Sequence, residues 1–268
     1  MLDQLSLEGK SIIVTGGGTG LGRAMVLALA RAGADVALAA RRAEPLEKTA
    51  EEVRKLGRRV LALPTDVTKS SQIAKMVQQT LDEFGKIDVL INNAGLSGTH
   101  GPKPIWEISD EEWQAGVELN LSSAFYCSRA VAKHMVERGQ GKIINIGSGY
   151  GMRGGRDNYI YTSAKGGMVQ LTRTLAISLG RYGITCNCML PGFIPTEGSS
   201  AIPRETQPSA KFIPVGFLGR VEDVAPVAVF MASSASDYMN GEFFAVDGGG
   251  LFSGVAPTGF APEIRLKA

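Results

Sequence analysis

Residues 11–33 read "SIIVTGGGTGLGRAMVLALARAG". Four apolar or β-branched residues, a run of glycines and a long apolar-periodic segment follow one another without a break. That is the pattern of a buried strand turning directly into a helix. Gly16, Gly20 and Gly22 are spaced G-x-x-x-G-x-G, with Thr19 and Leu21 in the same turn. Glycine permits the tight turn and lets the backbone approach a pyrophosphate with no Cβ in the way. The helix N-terminus adds unpaired N–H groups and a partial positive charge for that anion. Placed between a strand and a helix, the motif points to a dinucleotide site.

The alternation continues outward from there. "DVALAAR" reads as a second strand, with helix 44–57 between it and "RVLALPTDV". Helix 70–85 leads to "IDVLINNAG", helix 110–138 to "KIINIGS", helix 159–181 to "ITCNCMLPG", and helix 222–233 to "EFFAVDGG". Seven strands joined by helices predict an α/β fold: one doubly wound, Rossmann-type domain with a seven-stranded parallel sheet flanked by helices. That domain is expected to span residues 1–250. A proline-rich stretch at about 193–218 reads as a substrate lid, and residues 251–268 as a C-terminal tail.

Totals narrow the function classes. The chain has 268 residues, a formal net charge of +2 and 20% charged residues. Neither a basic patch for nucleic acid nor an apolar run long enough for a membrane is present. The N-terminus lacks a signal-peptide pattern. Cys127, Cys186 and Cys188 are an odd number and read as small core residues, so a cytoplasmic location is expected. His100 and His134 are the only histidines. His134, beside Lys133, is expected to be exposed, and no metal site is expected.

At the second strand end "ALAARRAE" puts Ala40 where an acid would hold the adenosine ribose, followed by Arg41 and Arg42. A guanidinium can bind a 2′-phosphate bidentately. The expected cofactor is therefore NADP(H), with NAD(H) as the other possibility.

In "GYGMRGGRDNYIYTSAKGG" (149–167) only Tyr161 is followed four residues later by a lysine, Lys165. Residues at that spacing share a helix face. A phenol titrates near ~10, too high for an easy base, and a fixed ammonium would lower that value. Tyr161 is the candidate acid/base and Lys165 its electrostatic partner. Ser148, at a strand end, would hydrogen-bond the substrate oxygen. Tyr150 and Tyr159 are assigned to packing or the pocket wall. Ser148 lacks a G-x-S-x-G elbow, which argues against a hydrolase.

Together "TGGGTGLG", "NNAG" (92–95), Asn120 in "VELNLSS", Ser148 in "NIGSG", the Tyr161–Lys165 pair and "PGFIPT" (191–196) resemble the short-chain dehydrogenase/reductase superfamily over residues 8 to about 249. The 13-residue step from Ser148 to Tyr161 is typical of it. The resemblance implies that Lys165 also binds the nicotinamide ribose and that Asn120 holds a water on the proton path. It implies adenine contacts at Asp66 and Val67 and an adenosine-side lining by Asn93, Ala94 and Gly95. It further implies nicotinamide and phosphate contacts at Pro191, Gly192, Ile194 and Thr196. A homotetramer through helices 110–138 and 159–181 is implied as well. The expected reaction interconverts a secondary alcohol and a ketone of a small molecule. Reduction of an enoyl- or dienoyl-CoA is the alternative, and a non-catalytic dinucleotide sensor is disfavoured because Ser148, Tyr161 and Lys165 are all present.

Overall fold

The structure is a computed structural model that describes residues 2–96, 103–197 and 213–251. Its strands are β1 (Ser11–Thr15), β2 (Asp35–Ala40), β3 (Val60–Pro64), β4 (Val89–Asn92), β5 (Gly141–Ile146), β6 (Ile184–Pro191) and β7 (Phe243–Val246). Its helices are α1 (Gly20–Arg31), α2 (Ala43–Lys55), α3 (Ser70–Phe84), α4 (Asp110–Val117), α5 (Ser123–Arg138), α6 (Tyr159–Gly180) and α7 (Ala225–Ala232).

The seven strands form one sheet in the order β3-β2-β1-β4-β5-β6-β7, with every pairing parallel. The chain runs outward from β1 to β3, returns to lay β4 beside β1, and then runs the other way. The carboxyl ends of β1 and β4 thus diverge into a crevice, the usual ligand position in such sheets.

Period-two alternation decides which helix each strand residue meets. Ile12 and Val14 point into an apolar cluster with Met25, Leu29, Leu46 and Met231. Ile13 points the other way, into a cluster with Ile73, Met76, Val131 and Ala176. Both faces are covered, so the strands can be apolar throughout. Fully burying each such side chain contributes about 1.5–3 kcal/mol.

The expected helix 110–138 is helical throughout but not α-helical throughout. It divides into α4 and α5 around a π-helical turn at Glu118–Ser122. The cause is local. Asn120 donates from Nδ2 to the Gly116 carbonyl at 3.0 Å and Ser123 Oγ to the Leu119 carbonyl at 2.6 Å, so side chains enter the backbone ladder. Helix α4 starts at a capping box in which Ser109 Oγ accepts from Glu112 N and Glu112 Oε2 accepts from Ser109 N.

His134 corrects a sequence expectation: it is not exposed. Its Nε2 accepts from the Ile87 backbone N–H at 3.2 Å, pinning α5 beneath the strand that follows. Cys127, Cys186 and Cys188 are free and buried, and burial pushes their thiols upward in pKa. Most of the expected lid, 198–212, and nearly all of the tail, 252–268, lie outside the described residues. No helix among the described residues is long and apolar enough to cross a membrane.

Candidate active site

Every motif singled out in the sequence lies beyond the carboxyl ends of the strands. Leaving β1, Gly16 adopts φ +69°, and a Cβ there would stand 2.7 Å from Asn93 Nδ2. At Gly22 a Cβ would stand 2.0 Å from the Gly16 carbonyl oxygen. Thr19 caps α1 in an extended conformation and Leu21 follows in its first turn. Gly20 faces Thr196 across the crevice, with the Thr196 methyl 3.3 Å from where a Cβ would be. A bare backbone, a helix start and a facing hydroxyl residue therefore form one cradle. This donor set fits a pyrophosphate.

Thr15, which the sequence reading missed, clamps β1 to β4. Its Oγ1 accepts from the backbone N–H groups of Asn93 and Ala94, both at 3.0 Å. Asn93 returns bonds to the carbonyls of Thr15 and Gly16 at 2.9 and 3.3 Å. Asn93 and Ala94 thus hold the sheet together beneath the cradle. A threonine at the last strand position before the glycines was the available signal.

At the other end of the crevice Arg41 and Arg42 are exposed and make no ion pair among the described residues. Burial works to raise the Asp66 carboxyl. The N–H and hydroxyl of Thr68 bonded to it, with Arg41 and Lys69 nearby, outweigh burial and leave it below the usual carboxylate range. Val67 is 5% exposed and packs into the core.

Ser148 ends the segment after β5, and its Oγ accepts from the Tyr150 N–H at 3.2 Å. Tyr161 lies in the first turn of α6 and Lys165 one turn further on. Lys165 is 4% exposed, and its ammonium donates to the Ile146 carbonyl at 2.8 Å while standing 5.6 Å from the Tyr161 ring centroid. Gly95 brings Asn120 to the same place: a Cβ there would lie 2.9 Å from Asn120 Oδ1 and 3.6 Å from Lys165 Nζ. Asn120 Oδ1 accepts from Leu96 N at 3.0 Å. Ser148, Tyr161, Lys165 and Asn120 therefore converge. Pro191 ends β6, Gly192 donates to the Val246 carbonyl at 2.9 Å, and Ile194 is buried.

Behind this group runs a polar chain that the sequence reading also missed. Asn92 Nδ2 donates to Asn145 Oδ1 at 2.9 Å and to Ser128 Oγ at 3.0 Å, and Asn145 Nδ2 donates to Thr172 Oγ1 at 2.9 Å. It ties β4, β5, α5 and α6 together, so α6, which carries Tyr161 and Lys165, shares one anchor with α5, which follows the turn at Asn120. The visible signal was an asparagine at the end of each of two adjacent strands, paired in register.

The electrostatics differ from the sequence expectation. Burial raises the Tyr161 hydroxyl above its ordinary value, the Ser148 hydrogen bond pulls it back, and Tyr150 adds to the rise. The net shift is thus upward, and the Lys165 ammonium, 5.6 Å from the ring centroid, donates to the Ile146 carbonyl. Burial instead depresses Lys165 itself to about 8. The lysine has three N–H donors and only one acceptor among the described residues, which fits a ribose diol.

That buried charge has a cost, whose sign follows from proton counting. The unfolded lysine keeps its proton up to 10.5 and the folded one only to about 8, so stability rises with pH across that window. Below pH 8 the full penalty, of order 3 kcal/mol, applies. Lys165→Met should therefore raise the Tm of the cofactor-free protein by about 5–12 °C at pH 7. The gain should shrink toward pH 10, as thermal melts across pH will read. An equal gain at all pH values would contradict the assignment.

The fold and this cluster define a nicotinamide-dinucleotide oxidoreductase site. A family profile described as short chain dehydrogenase matches residues 10–207. The chain is 41% identical to the 2-dehydro-3-deoxy-D-gluconate 5-dehydrogenase of Escherichia coli K12 over 255 residues, covering 94% of this chain and 99% of that one. It is 35% identical to the 5-keto-D-gluconate 5-reductase of the same organism, covering 94% and 99%. Among solved structures, a gluconate 5-dehydrogenase from Burkholderia cenocepacia J2315 in complex with NADP and tartrate superposes with a TM-score of 0.87 at 33% identity, covering 93% of this chain and 98% of that one. The chain belongs to the short-chain dehydrogenase family. It is an NAD(P)-dependent oxidoreductase of the alcohol/ketone couple.

Proposed function

We propose that the chain reduces a ketone, or oxidises the matching secondary alcohol, of a small sugar acid, with NADP(H) as preferred cofactor and Tyr161 as acid/base. The observation that carries this reading is the convergence of Tyr161, Ser148, Lys165 and Asn120 beside a phosphate cradle. The gluconate-type substrates in the names of the relatives support the substrate class.

When bound, the nicotinamide supplies or takes up the hydride. Gly16, Thr19, Gly20, Leu21, Gly22 and Thr196 would hold the pyrophosphate, Arg41 and Arg42 a 2′-phosphate, and Asp66 and Val67 the adenine. Asn93, Ala94 and Gly95 would line the adenosine side, and Pro191, Gly192 and Ile194 the nicotinamide end. Tyr161 gives its proton to the carbonyl oxygen while Ser148 hydrogen-bonds that oxygen. Burial keeps Tyr161 protonated at neutral pH, the form that reduction needs. Lys165 orients the ribose and Asn120 holds a water beside it.

The test is a substrate screen followed by NADPH and NADH absorbance in parallel, with 5-keto-D-gluconate, simple ketones and a 2-enoyl-CoA. Turnover of a ketone with NADPH ahead of NADH is expected. Turnover of the enoyl-CoA alone would overturn the reading.

A homotetramer built through α4, α5 and α6 is part of the same proposal. Trp113, Phe125 and Ile177 are 41%, 43% and 82% exposed on those helices, apolar surface that a second copy would cover. Sedimentation at micromolar concentration is expected to give a tetramer, and a monomer would refute it. A cytoplasmic location accords with the three unpaired thiols, and cell fractionation tests it.

A further inference from the structure

The segment between Ser148 and α6 wraps around one aromatic ring. Tyr150 meets the Tyr161 ring edge-on, with centroids 6.5 Å apart and planes at 83°. On another side Gly155 presses against it so closely that a Cβ would lie 2.9 Å from Tyr150 Cε1. The loop closes through Asp157, the only described non-glycine residue with positive φ, at 54°, whose carbonyl accepts from Lys103 N. The ring is therefore fixed next to the reactive phenol. Over it stands the Arg153 guanidinium, 5.8 Å from the centroid.

Arg153 is exposed and has no carboxylate partner among the described residues. Acids from the adjoining segments are engaged elsewhere. Asp157 Oδ1 faces the Tyr159 hydroxyl, Glu112 binds Lys103, and Asp247 accepts from the N–H groups of Gly249 and Leu251. A guanidinium stacked on a ring keeps its N–H edge for a planar bidentate acceptor, and the ring limits the rotamers lost on binding. Such a group two ring contacts from Tyr161 matches a substrate with a carboxylate several bonds from its reacting carbon.

We propose that Arg153, carried on the Tyr150 ring, is the specificity-determining residue that binds a substrate carboxylate while the reacting carbon faces Tyr161. The proposal rests on the oxidoreductase reading above. Neighbouring Arg156 is also exposed but has no ring contact, and serves as the comparison.

The experiment measures oxidation of D-gluconate and of its neutral amide, D-gluconamide, by the NADP⁺-saturated protein and by R153A, R153K and R156A. For R153A the kcat/KM on gluconate should fall about 10- to 100-fold, mainly through KM. The fall on gluconamide should be much smaller. R153K should recover part of the loss, and R156A should stay within about 3-fold of wild type on both substrates. Independently of turnover, tartrate binding to the NADP⁺-loaded protein by calorimetry should weaken in R153A.

Equal losses on acid and amide, no loss at all, or a loss carried by R156A instead would overturn the assignment. If the wild type oxidises only neutral alcohols, the carboxylate anchor falls and the oxidoreductase reading stands. If no alcohol or ketone turns over with either coenzyme, that reading falls first and takes the anchor with it.

Discussion

Tyr161→Phe is expected to lower kcat by about 10²- to 10⁴-fold, the usual worth of a positioned acid/base, while NADPH binding changes less than about 3-fold. The separation follows from what the hydroxyl does and does not touch. In the folded chain Ser148 acts on the hydroxyl to lower its pKa against the effect of burial, and the ring packs edge-on against Tyr150. Phenylalanine keeps the ring and removes only the proton donor, so the Tm should stay within a few degrees of wild type. NADPH affinity by fluorescence quenching and single-turnover rates would divide the effect between binding and chemistry. Retention of more than about a tenth of wild-type turnover would remove Tyr161 from the reaction. Because burial favours the neutral phenol, alcohol oxidation, which needs the phenolate, should accelerate as pH rises above 7.

How far the sequence could be read depended on the range of the forces involved. The sheet was legible because each strand is short, apolar and followed by a helix, and parallel connections admit few topologies. Tyr161 and Lys165 were legible as a pair because four residues on a helix form a local relation. The π-helical turn at Asn120 was not, since the sequence there has ordinary helical character: the Gly116 carbonyl lies only four residues back, but the Leu96 N–H that engages Asn120 Oδ1 is brought in by folding. His134 was misread for the same reason. Its partner is a backbone N–H from a segment 47 residues away. The upward shift of Tyr161 was not legible for a different reason. Spacing fixes distance but not direction, and the buried ammonium found the Ile146 carbonyl before the phenol. Thr15 and the Asn92–Asn145–Thr172 chain lie between these cases: Thr15, Asn92 and Asn145 sit at or next to strand ends where their use was inferable, but their partners, Thr172 of α6 among them, came only with the fold.

Gly22→Ala should damage the protein most severely. Gly22 has an ordinary helical conformation, so alanine brings no backbone penalty there and would even favour the helix. What forbids it is the neighbouring turn. The added methyl would stand 2.0 Å from the Gly16 oxygen, 2.8 Å from the Gly16 carbonyl carbon and 2.6 Å from Asn93 Nδ2. Two of those three atoms are backbone, and the third belongs to the side chain that holds β4 against β1. Relief therefore requires α1 to withdraw from the strand end or the clamp to open, and either change spreads the phosphate cradle. Overpacking of this kind costs about 3 kcal/mol or more. In a chain of this size that corresponds to a fall in Tm of about 5–12 °C, together with a loss of NADPH binding that exceeds the loss of stability. Gly9→Ala is the control. Its φ is +71° but nothing lies within 4 Å of the new methyl, so only the left-handed penalty of about 1–2 kcal/mol applies, with cofactor affinity intact. If Gly22→Ala melts like wild type and binds NADPH equally well, the tight apposition of helix and turn is not what shapes the cradle.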